Sequence, residues 1–426
     1  MYLKYFFKKA RSFLMLKPKT IETIKSTVPV LEVYGEAITK RFYEMLFTNH
    51  PELLNIFNHA NQKQGRQQGA LANAVYAAAK HIDELEKIIP VVKQIGHKHR
   101  SLGVKPEHYP IVGEHLLMAI KDVLGDAATD EIIEAWGEAY GVIAEAFIGI
   151  EKEMYNEAEN QEGGWEGFRP FVIAKKVKES SVITSFYLKP EDGQVISTFL
   201  PGQYVSVKVA IPGEENTHIR QYSLSDAPGK DYYRISVKRE EGNNKPDGKV
   251  SNYLHNNLKE GDKLELSAPA GDFTLNMNTS LPAVFISGGV GLTPMVSMLN
   301  TAAAVQPERK VTFIHAAING EYHALGEGVR KLANEQEHVK AYFCYEKPTE
   351  QDRKEGQFDK EGYIDLAWLK EMLKTNEADF YFCGPLPFMK AIRSALLEWN
   401  VPQERIHFEF FGPAVDLENE EKVTTR

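Results

Sequence analysis

The sequence has little of several features that would assign it to a specialised class of protein. Its 426 residues include only two cysteines, Cys344 and Cys383, too few for a disulfide framework or a CxxC metal site. Its apolar runs fall short of the ~20 residues that a membrane-spanning helix requires. With 50 Lys+Arg against 59 Asp+Glu, the formal charge is −9, and no basic stripe indicates nucleic-acid binding. These absences favour a cytoplasmic protein that binds no nucleic acid and has no membrane span.

The N-terminus differs in texture from the rest of the chain. Residues 1–14 carry Lys4, Lys8, Lys9 and Arg11 and no acidic residue, without the apolar core or cleavage site of a signal peptide. We expect a tail or a misassigned start before Met15; a membrane-surface helix is the alternative.

Three textures follow, and each predicts a different fold class. Apolar residues recur at three- and four-residue spacing from Lys19 to about Glu159, which predicts an all-α domain. Breaks such as Asn49-His50-Pro51, Leu102-Gly103 and Leu124-Gly125 mark its helix ends. After a polar, Gly-rich linker, short alternating strands separated by Gly and Pro predict a small antiparallel β-barrel. From Leu281, apolar strands alternate with helices, which predicts an α/β domain with a mainly parallel sheet.

The expected domain boundaries follow from these changes of texture. They are an N-terminal tail 1–14, a helical domain 15–155, a linker 156–168, a barrel 169–276, an α/β domain 277–415 and a C-terminal tail 416–426.

A Gly-rich turn joins an apolar strand to a helix in SGGVGLTPM (287–295). Gly288, Gly289 and Gly291 allow a tight turn and close approach of a ligand, and the helix start offers free N–H groups to a pyrophosphate. Such a turn is a weak signal alone, but its position after a barrel strengthens it.

Three further segments have the chemistry of a flavin and nucleotide site. Arg220-Gln221-Tyr222-Ser223, placed after a strand, combines a cation, an aromatic ring and a hydroxyl. Gly248-Lys249-Val250-Ser251 opens a second helix and is a candidate anion site. Cys383-Gly384-Pro385 ends an apolar strand where a nicotinamide can approach. Each segment alone is also consistent with turn chemistry or core packing.

Taken in order, these motifs closely resemble the ferredoxin reductase-like family of FAD/NAD(P)H modules over about 169–415. The resemblance implies FAD-binding residues, which are Tyr204, Arg220, Gln221, Tyr222, Ser223, Gly248, Ser251, Phe410, Phe411, Gly412 and Pro413. It implies NAD(P)-binding residues, which are Gly289, Val290, Gly291, Leu292, Thr293, Pro294, Cys383, Gly384 and Pro385.

Two histidines of the helical domain are candidates for an iron ligand. His97 and His99 lie two apart, so on a helix they point about 200° apart and cannot serve the same site. One should face an apolar pocket and the other solvent, and the residues alone leave the choice open.

The segments IFNHANQ, GHKHRSLGVKPEHYPIVGEHLL and EAWGEAYGVIAEAFIGIEKEMYN strongly resemble the globin domain of flavohaemoglobins over about 15–155. This resemblance implies that haem b is bound with His99 as its proximal iron ligand. It further implies a wedge at Phe57, a distal side of Tyr43 and Gln62, and proximal support from Tyr109 and Glu151. Lys98 and Glu409 align with positions that tune redox potentials.

A flavohaemoglobin resemblance implies a nitric oxide dioxygenase, which converts NO and O₂ to nitrate with electrons passed from NAD(P)H through FAD to haem. We expect a monomer. NADH should be preferred, because Glu321 follows a strand of the nucleotide domain and would repel a 2′-phosphate. The alternatives are an oxygen or redox sensor, and a flavin-type ferric or quinone reductase with an accessory haem domain.

Overall fold

The structure is a computed structural model of the chain and describes residues 16–57, 62, 65–242 and 246–412. The two expected tails and Pro413 lie outside the described residues. The chain divides into two compact units. Unit 1 comprises the described residues up to Asn160 together with Pro212–Ile219, and unit 2 comprises Gln161–Ile211 and the described residues from Arg220 onwards.

Unit 1 is helical, as the spacing of its apolar residues predicts. Its helices are α1 (Pro18–Asn49), α2 (Arg66–Lys80), α3 (Ile89–Leu102), α4 (His108–Leu124) and α5 (Asp130–Asn160), with 3₁₀ turns at Pro51–Asn55, Leu85–Ile88 and Gly125–Ala127. The predicted ends at Asn49, Leu102 and Leu124 are confirmed. Helix α3 stops because Gly103 adopts a left-handed φ of 79°, a conformation that glycine reaches without steric cost.

The core of unit 1 forms along one stripe of α1. Ile24, Leu31, Ile38, Phe42 and Leu46 are all buried at helical spacing. They belong to the same apolar cluster as buried residues of α4 and α5. Helix α5 continues to Asn160, so the residues 156–160 of the expected linker are helical.

The first sheet is antiparallel and six-stranded, and all its residues except His218 and Ile219 belong to unit 2. Its strands are β1 (Phe168–Lys178), β2 (Ile183–Pro190), β3 (Tyr204–Val209), β4 (His218–Ser223), β5 (Tyr233–Lys238) and β6 (Lys263–Ser267), in the order β4-β3-β6-β1-β2-β5. A bridge between Leu224 and Ile235 joins the two ends of this order, so the sheet is close to a barrel. Helix α6 (Lys249–Asn256) follows β5.

The second sheet of unit 2 is parallel in all its pairings. Its strands are β7 (Ala283–Gly288), β8 (Val311–Ala317), β9 (Val339–Tyr345), β10 (Lys360–Glu361), β11 (Asp379–Cys383) and β12 (Ile406–Glu409), in the order β10-β9-β8-β7-β11-β12. Its helices are α7 (Leu292–Val305), α8 (Gly326–Glu335), α9 (Glu350–Glu355), α10 (Leu366–Leu373) and α11 (Leu386–Glu398). The predicted combination of all-α, antiparallel β and α/β folds is therefore confirmed.

Alternate residues of β7 pack on opposite faces of the parallel sheet. Phe285 lies in one buried cluster with residues of α7, and Val284 and Ile286 lie in another with residues of α11. The sheet is thus covered on both faces, as a parallel sheet requires. Among the residues that the structure describes, no helix is long and apolar enough to cross a bilayer.

Candidate functional site

Three side chains from three helices of unit 1 meet at one carboxylate. His99 lies on α3, Tyr109 on α4 and Glu151 on α5. The Nδ1 atom of His99 lies 2.7 Å from Oε1 of Glu151, and the hydroxyl of Tyr109 donates to that same oxygen at 2.6 Å. The Tyr109 hydroxyl also lies 3.2 Å from Nδ1 of His99. The structure therefore brings together the three residues for which the resemblance to flavohaemoglobins implies a proximal role.

The burial of this cluster fixes its proton arrangement. Glu151 is 3% exposed and Tyr109 is 8% exposed, so the carboxylate needs both donors to offset its loss of hydration. Burial and the adjacent Glu151 carboxylate raise the pKa of the Tyr109 phenol, which remains a hydrogen-bond donor at neutral pH. A neutral imidazole that donates from Nδ1 keeps its Nε2 lone pair available as a ligand.

The outward side of His99 is suited to a metal. Within the described part of unit 1, no residue forms a hydrogen bond with Nε2 of His99. Phe147 lies beside the ring, with centroids 5.7 Å apart. The expectation that one of the two histidines faces solvent is wrong, because His97 and His99 are both half-buried.

Tyr43 lies in an aromatic cluster of unit 1. It is 6% exposed on α1, and its ring lies 5.7 Å from that of Phe47 and 5.9 Å from that of Phe57. Burial raises the pKa of the Tyr43 phenol, and the side-chain amides of Gln62 and Gln67 partly oppose this shift. The hydroxyl is therefore a neutral donor in an apolar surrounding.

Both amides near Tyr43 have unused polar atoms. Nε2 of Gln62 and Oε1 of Gln67 are buried and have no hydrogen-bond partner among the described residues. Buried polar groups are almost always satisfied, and a polar ligand near Tyr43 is one group that would satisfy these atoms. Sequence reasoning missed Gln67; its signal is a glutamine in the first turn of α2, beyond the predicted Gln62.

These observations fit a haem group. A proximal imidazole is oriented by a buried carboxylate, aromatic rings are present at Phe57 and Phe147, and Tyr43 supplies a polar group with unsatisfied amides close to it. An imidazole with a free nitrogen and a buried hydroxyl are groups that suit a haem iron and its polar ligand.

The flavin motif of the sequence lies in the antiparallel sheet. Arg220, Gln221, Tyr222 and Ser223 are residues of β4 itself rather than of a segment that follows a strand. Burial lowers the pKa of the Arg220 guanidinium, so an anion placed beside it would be strongly favoured.

Tyr204, on the neighbouring strand β3, lies against a glycine of the same unit. Gly271 has a φ of +113°, and a Cβ there would lie 3.0 Å from the Tyr204 ring. The glycine thus fixes the position of one aromatic face expected at the flavin.

The second candidate anion turn, at the start of α6, is held by its own hydrogen bonds. The hydroxyl of Ser251 donates to the carbonyl of Gly248 at 3.1 Å and accepts from the backbone N–H of Glu240 at 3.2 Å. A Cβ at Gly248 would lie 2.7 Å from Ser251 Oγ, so only glycine fits. Ser251 therefore holds the start of α6 in place.

The Gly-rich turn and the Cys383-Gly384 segment are in direct backbone contact. Ser287 and Cys383 are partners in the parallel pairing of β7 and β11. A Cβ at Gly291 would overlap the carbonyl of Cys383, so this glycine permits the approach. Gly289 has a left-handed φ of +54°, and no described atom lies within 4 Å of a Cβ built there.

This turn leads into α7 with a side open to a ligand, which fits the pyrophosphate of a dinucleotide. The predicted residues Val290, Leu292, Thr293 and Pro294 form the turn and the first positions of α7. Pro385 precedes α11 in the same way.

The remaining predicted residues lie beside these sites or at the end of the described chain. Glu409 pairs with Cys383 in the register of β12 and β11. Burial, together with the Glu409 carboxylate, raises the pKa of the Cys383 thiol. Lys98 is half-buried next to His99 on α3. Phe410, Phe411 and Gly412 follow β12, and Phe411 is 43% exposed.

Comparison with known proteins gives the same three-part division. Residues 40–147 match the family model for globins, residues 170–275 that for the oxidoreductase FAD-binding domain, and residues 285–394 that for the oxidoreductase NAD-binding domain.

Similar proteins extend over nearly the whole chain. A flavohemoprotein of Bacillus thuringiensis subsp. konkukian is 66% identical over 404 residues, covering 95% of this chain and all of the relative. The crystal structure of a flavohemoglobin from Malassezia yamatoensis with bound FAD and heme is 28% identical with a TM-score of 0.81, covering 93% of this chain and all of that one.

A third match covers the reductase part. The FAD/NAD-binding domain of a nitric oxide dioxygenase from Vibrio cholerae is 40% identical with a TM-score of 0.53, covering 57% of this chain and 99% of that one. On the full-length identity to its bacterial relative, the chain belongs to the flavohemoprotein family.

Proposed function

We propose that this protein is a nitric oxide dioxygenase that converts NO and O₂ to nitrate with electrons from NADH, and that it acts in the cytoplasm as a monomer. The observation that carries the proposal is the buried Glu151 carboxylate, which receives both His99 and Tyr109 in a globin unit. An oxygen-storage globin needs no such carboxylate, whereas a haem that activates O₂ would benefit from a more basic imidazole ligand. The nitric oxide dioxygenase of Vibrio cholerae supports the choice of reaction through its similar reductase domain.

His99 would hold the haem iron through Nε2, and Phe57 would contact the ring. Arg220, Tyr204 and the other residues of the flavin motif would hold FAD, and the turn Gly289–Gly291 would hold NADH. When bound, haem would supply the iron at which O₂ reacts with NO, FAD would take a hydride from NADH, and the flavin would pass its electrons on singly.

Glu151 keeps the Nδ1 proton on the side of His99 that faces away from the ligand position. A hydrogen bond from an imidazole N–H to a carboxylate raises the basicity of the other nitrogen. Tyr109 donates to the same oxygen and prevents the carboxylate from turning away. The pair therefore orients His99 and strengthens it as a donor.

Tyr43 would supply the hydroxyl that meets O₂. Because it is buried and neutral, it would donate a hydrogen bond to an oxygen molecule without competition from bulk water. Nε2 of Gln62 is a buried donor and Oε1 of Gln67 a buried acceptor, so Gln62 would donate to the same oxygen molecule or to the hydroxyl, and Gln67 would orient the hydroxyl by accepting from it. The aromatic residues around them exclude water from the reacting molecules.

The reductase part supplies binding and orientation. A desolvated Arg220 attracts the flavin diphosphate, and the close contact of Gly291 with Cys383 places the nucleotide turn at the carboxyl end of β11. Because Cys383 is buried with a raised pKa, its thiol stays neutral and adds no charge where a hydride would move.

The proposal is tested by measuring nitrate formed per NADH consumed when purified holoenzyme is given NO and O₂. Ferric and quinone reduction are measured in parallel, and sedimentation gives the oligomeric state. NO-dependent nitrate formation that far exceeds reduction of external acceptors supports the dioxygenase. Equal or faster ferric or quinone reduction, with little nitrate, would identify a reductase instead.

A further inference from the structure

The parallel sheet of unit 2 contains a row of polar side chains beneath the Gly-rich turn. Ser287 on β7 pairs with His315 on β8, and on its other side with Cys383 on β11. Ser287 is the last residue before Gly288, and its side chain is buried where β7 enters the turn. Ser287 and His315 are both fully buried.

A chain of hydrogen bonds and ring contacts continues from this pair. Oγ of Ser287 lies 2.9 Å from Nδ1 of His315. The His315 ring lies 4.7 Å from that of His323, whose Nδ1 lies 2.8 Å from the hydroxyl of Tyr345. The row thereby connects the end of β7 with β8, β9 and the segment that leads into α8.

The proton on His315 follows from which atoms have partners. Nε2 of His315 is buried without a partner among the described residues. Ser287 Oγ also lies 3.4 Å from the carbonyl of Ile314. If Nδ1 carries the proton, it donates to Ser287, and Ser287 donates to Ile314. Only an acceptor lone pair is then left buried, which is less costly than an orphaned N–H group.

An imidazole in this place is not an acid or a base for the reaction. Burial lowers the pKa of His315 to about 3, so the ring is neutral at physiological pH. Its ring accepts or donates at 2.9 Å to Ser287, the residue that opens the Gly-rich turn. The Gly-rich turn packs against Cys383 at Gly291 and against Phe388 of α11 at Gly288. Ser287 supplies a further contact, a hydrogen bond at the end of the turn that joins β7.

We propose that Ser287 and His315 are positioning residues, whose hydrogen bond holds the Gly-rich turn in the conformation that binds the dinucleotide. This inference rests on the proposed function only in taking NADH as the nucleotide. The bond fixes the last side chain of β7, and through it the direction in which Gly288 and Gly289 present their N–H groups. Losing the bond should weaken nucleotide binding more than the later steps.

The test uses amide replacements that separate the two ring nitrogens. In H315N the amide lies near the position of Nδ1 and can keep the bond to Ser287; in H315Q the amide lies near Nε2 and loses that bond. The readouts are the Kd of NAD⁺ by direct titration of the purified holoenzyme, the KM and kcat for NADH-driven flavin reduction, and the unfolding midpoint. S287A is measured alongside.

Cys344→Ala is the matched control. Cys344 is fully buried on β9, donates to the carbonyl of Gly362, and belongs to the cluster on the opposite face of the same sheet. It should lower the unfolding midpoint without changing the Kd of NAD⁺.

We expect S287A and H315Q to raise the Kd of NAD⁺ and the KM for NADH about three- to tenfold, the worth of one net hydrogen bond, with kcat little changed. H315N should stay close to wild type. An unchanged Kd in S287A and H315Q, or a Kd in H315N as high as in H315Q, would overturn the inference. None of these measurements requires NO or O₂. Absence of nitrate formation would therefore count against the proposed function and not against this inference.

Discussion

One carboxylate oxygen, Oε1 of Glu151, receives both the Nδ1–H group of His99 and the hydroxyl of Tyr109, at 2.7 and 2.6 Å. The oxygen has two lone-pair directions, and each donor uses one of them. Both hydrogen bonds therefore hold the same carboxylate oxygen in place. His99 and Tyr109 precede Glu151 by 52 and 42 positions along the chain. Their meeting depends on the packing of α3, α4 and α5, so the arrangement around Glu151 depends on the fold of unit 1.

The first prediction concerns Glu151→Gln. A neutral amide is a poorer acceptor for the imidazole N–H, so the haem should be retained with a weaker proximal donor. The iron–histidine stretching frequency should fall and the haem potential should rise, measured by resonance Raman spectroscopy and redox titration. Glu145→Gln, which changes an exposed carboxylate on the same helix, should alter neither. An unchanged frequency in Glu151→Gln would show that Glu151 does not act on His99.

The second prediction concerns stability in acid. Burial lowers the pKa of His315 to about 3, whereas an exposed histidine in the unfolded chain has its ordinary value of about 6.5. The unfolded state therefore binds the extra proton below pH 6.5, and stability present above that pH is lost as the pH falls toward 3. H315N should remove about 2 kcal/mol of the loss in unfolding free energy between pH 6.5 and pH 5.

Urea denaturation of wild type and H315N at the two pH values measures this difference. Parallel losses of stability in the two proteins would mean that His315 titrates in the folded state as it does in the unfolded chain.

The third prediction concerns the choice of nucleotide. Beyond β8, the 3₁₀ turn Gly320–Tyr322 carries the exposed Glu321, and the buried Asp352 accepts a hydrogen bond from the N–H of Gly320. Two acids at this turn should repel a 2′-phosphate, so NADH should have the higher kcat/KM. Glu321→Arg should shift the ratio of kcat/KM values toward NADPH by about fivefold or more. Glu327→Arg, an exposed glutamate on α8, should leave the ratio unchanged, and a preference of the wild type for NADPH would contradict the assignment.

The fourth prediction concerns residues 1–14. Lys17 Nζ lies 2.8 Å from Glu138, and Thr20 donates to the same carboxylate at 2.6 Å. A variant that begins at Met15 keeps both groups, and it should keep its haem content, FAD content and turnover, since none of the motifs of the expected sites lies in residues 1–14. A variant that begins after Thr20 loses both contacts and should unfold at lower temperature. A large loss of folded yield on removing 1–14 alone would show that this segment stabilises the protein.

The sequence predicts these sites unevenly, and the reasons are physical. Motifs within one turn, such as Gly289 and Gly291, can be recognised in the sequence because their geometry is local. The row from Cys383 through Ser287 to His315 cannot be predicted from the sequence, because it exists only once the register of three strands is set. The choice between His97 and His99 likewise needs a partner from a distant helix. Gln67 was missed since its role depends on how α2 approaches Tyr43.

The final prediction concerns Tyr43→Phe. The ring is retained, so its contacts with Phe42, Phe47 and Phe57 should survive and haem uptake should be normal. One buried hydroxyl is lost. A hydrogen bond to a strongly polarised acceptor is worth about 1.5–3 kcal/mol, so O₂ should dissociate from the reduced protein roughly 10- to 100-fold faster. NO consumption at limiting O₂ should fall accordingly, whereas reduction of an acceptor that takes electrons directly from the flavin should not change.

Phe47→Leu is the control that separates the hydroxyl from the packing. Phe47 stacks on Tyr43 and has no polar atom, so its loss loosens the cluster without removing a donor. Gln62→Leu and Gln67→Leu then test the two amides separately. Replacing the amide that orients or assists Tyr43 should raise the O₂ dissociation rate, and replacing the other should not. If Phe47→Leu accelerates dissociation as much as Tyr43→Phe does, the effect comes from packing. The Tyr43 hydroxyl would then be a buried core group with no role in binding O₂.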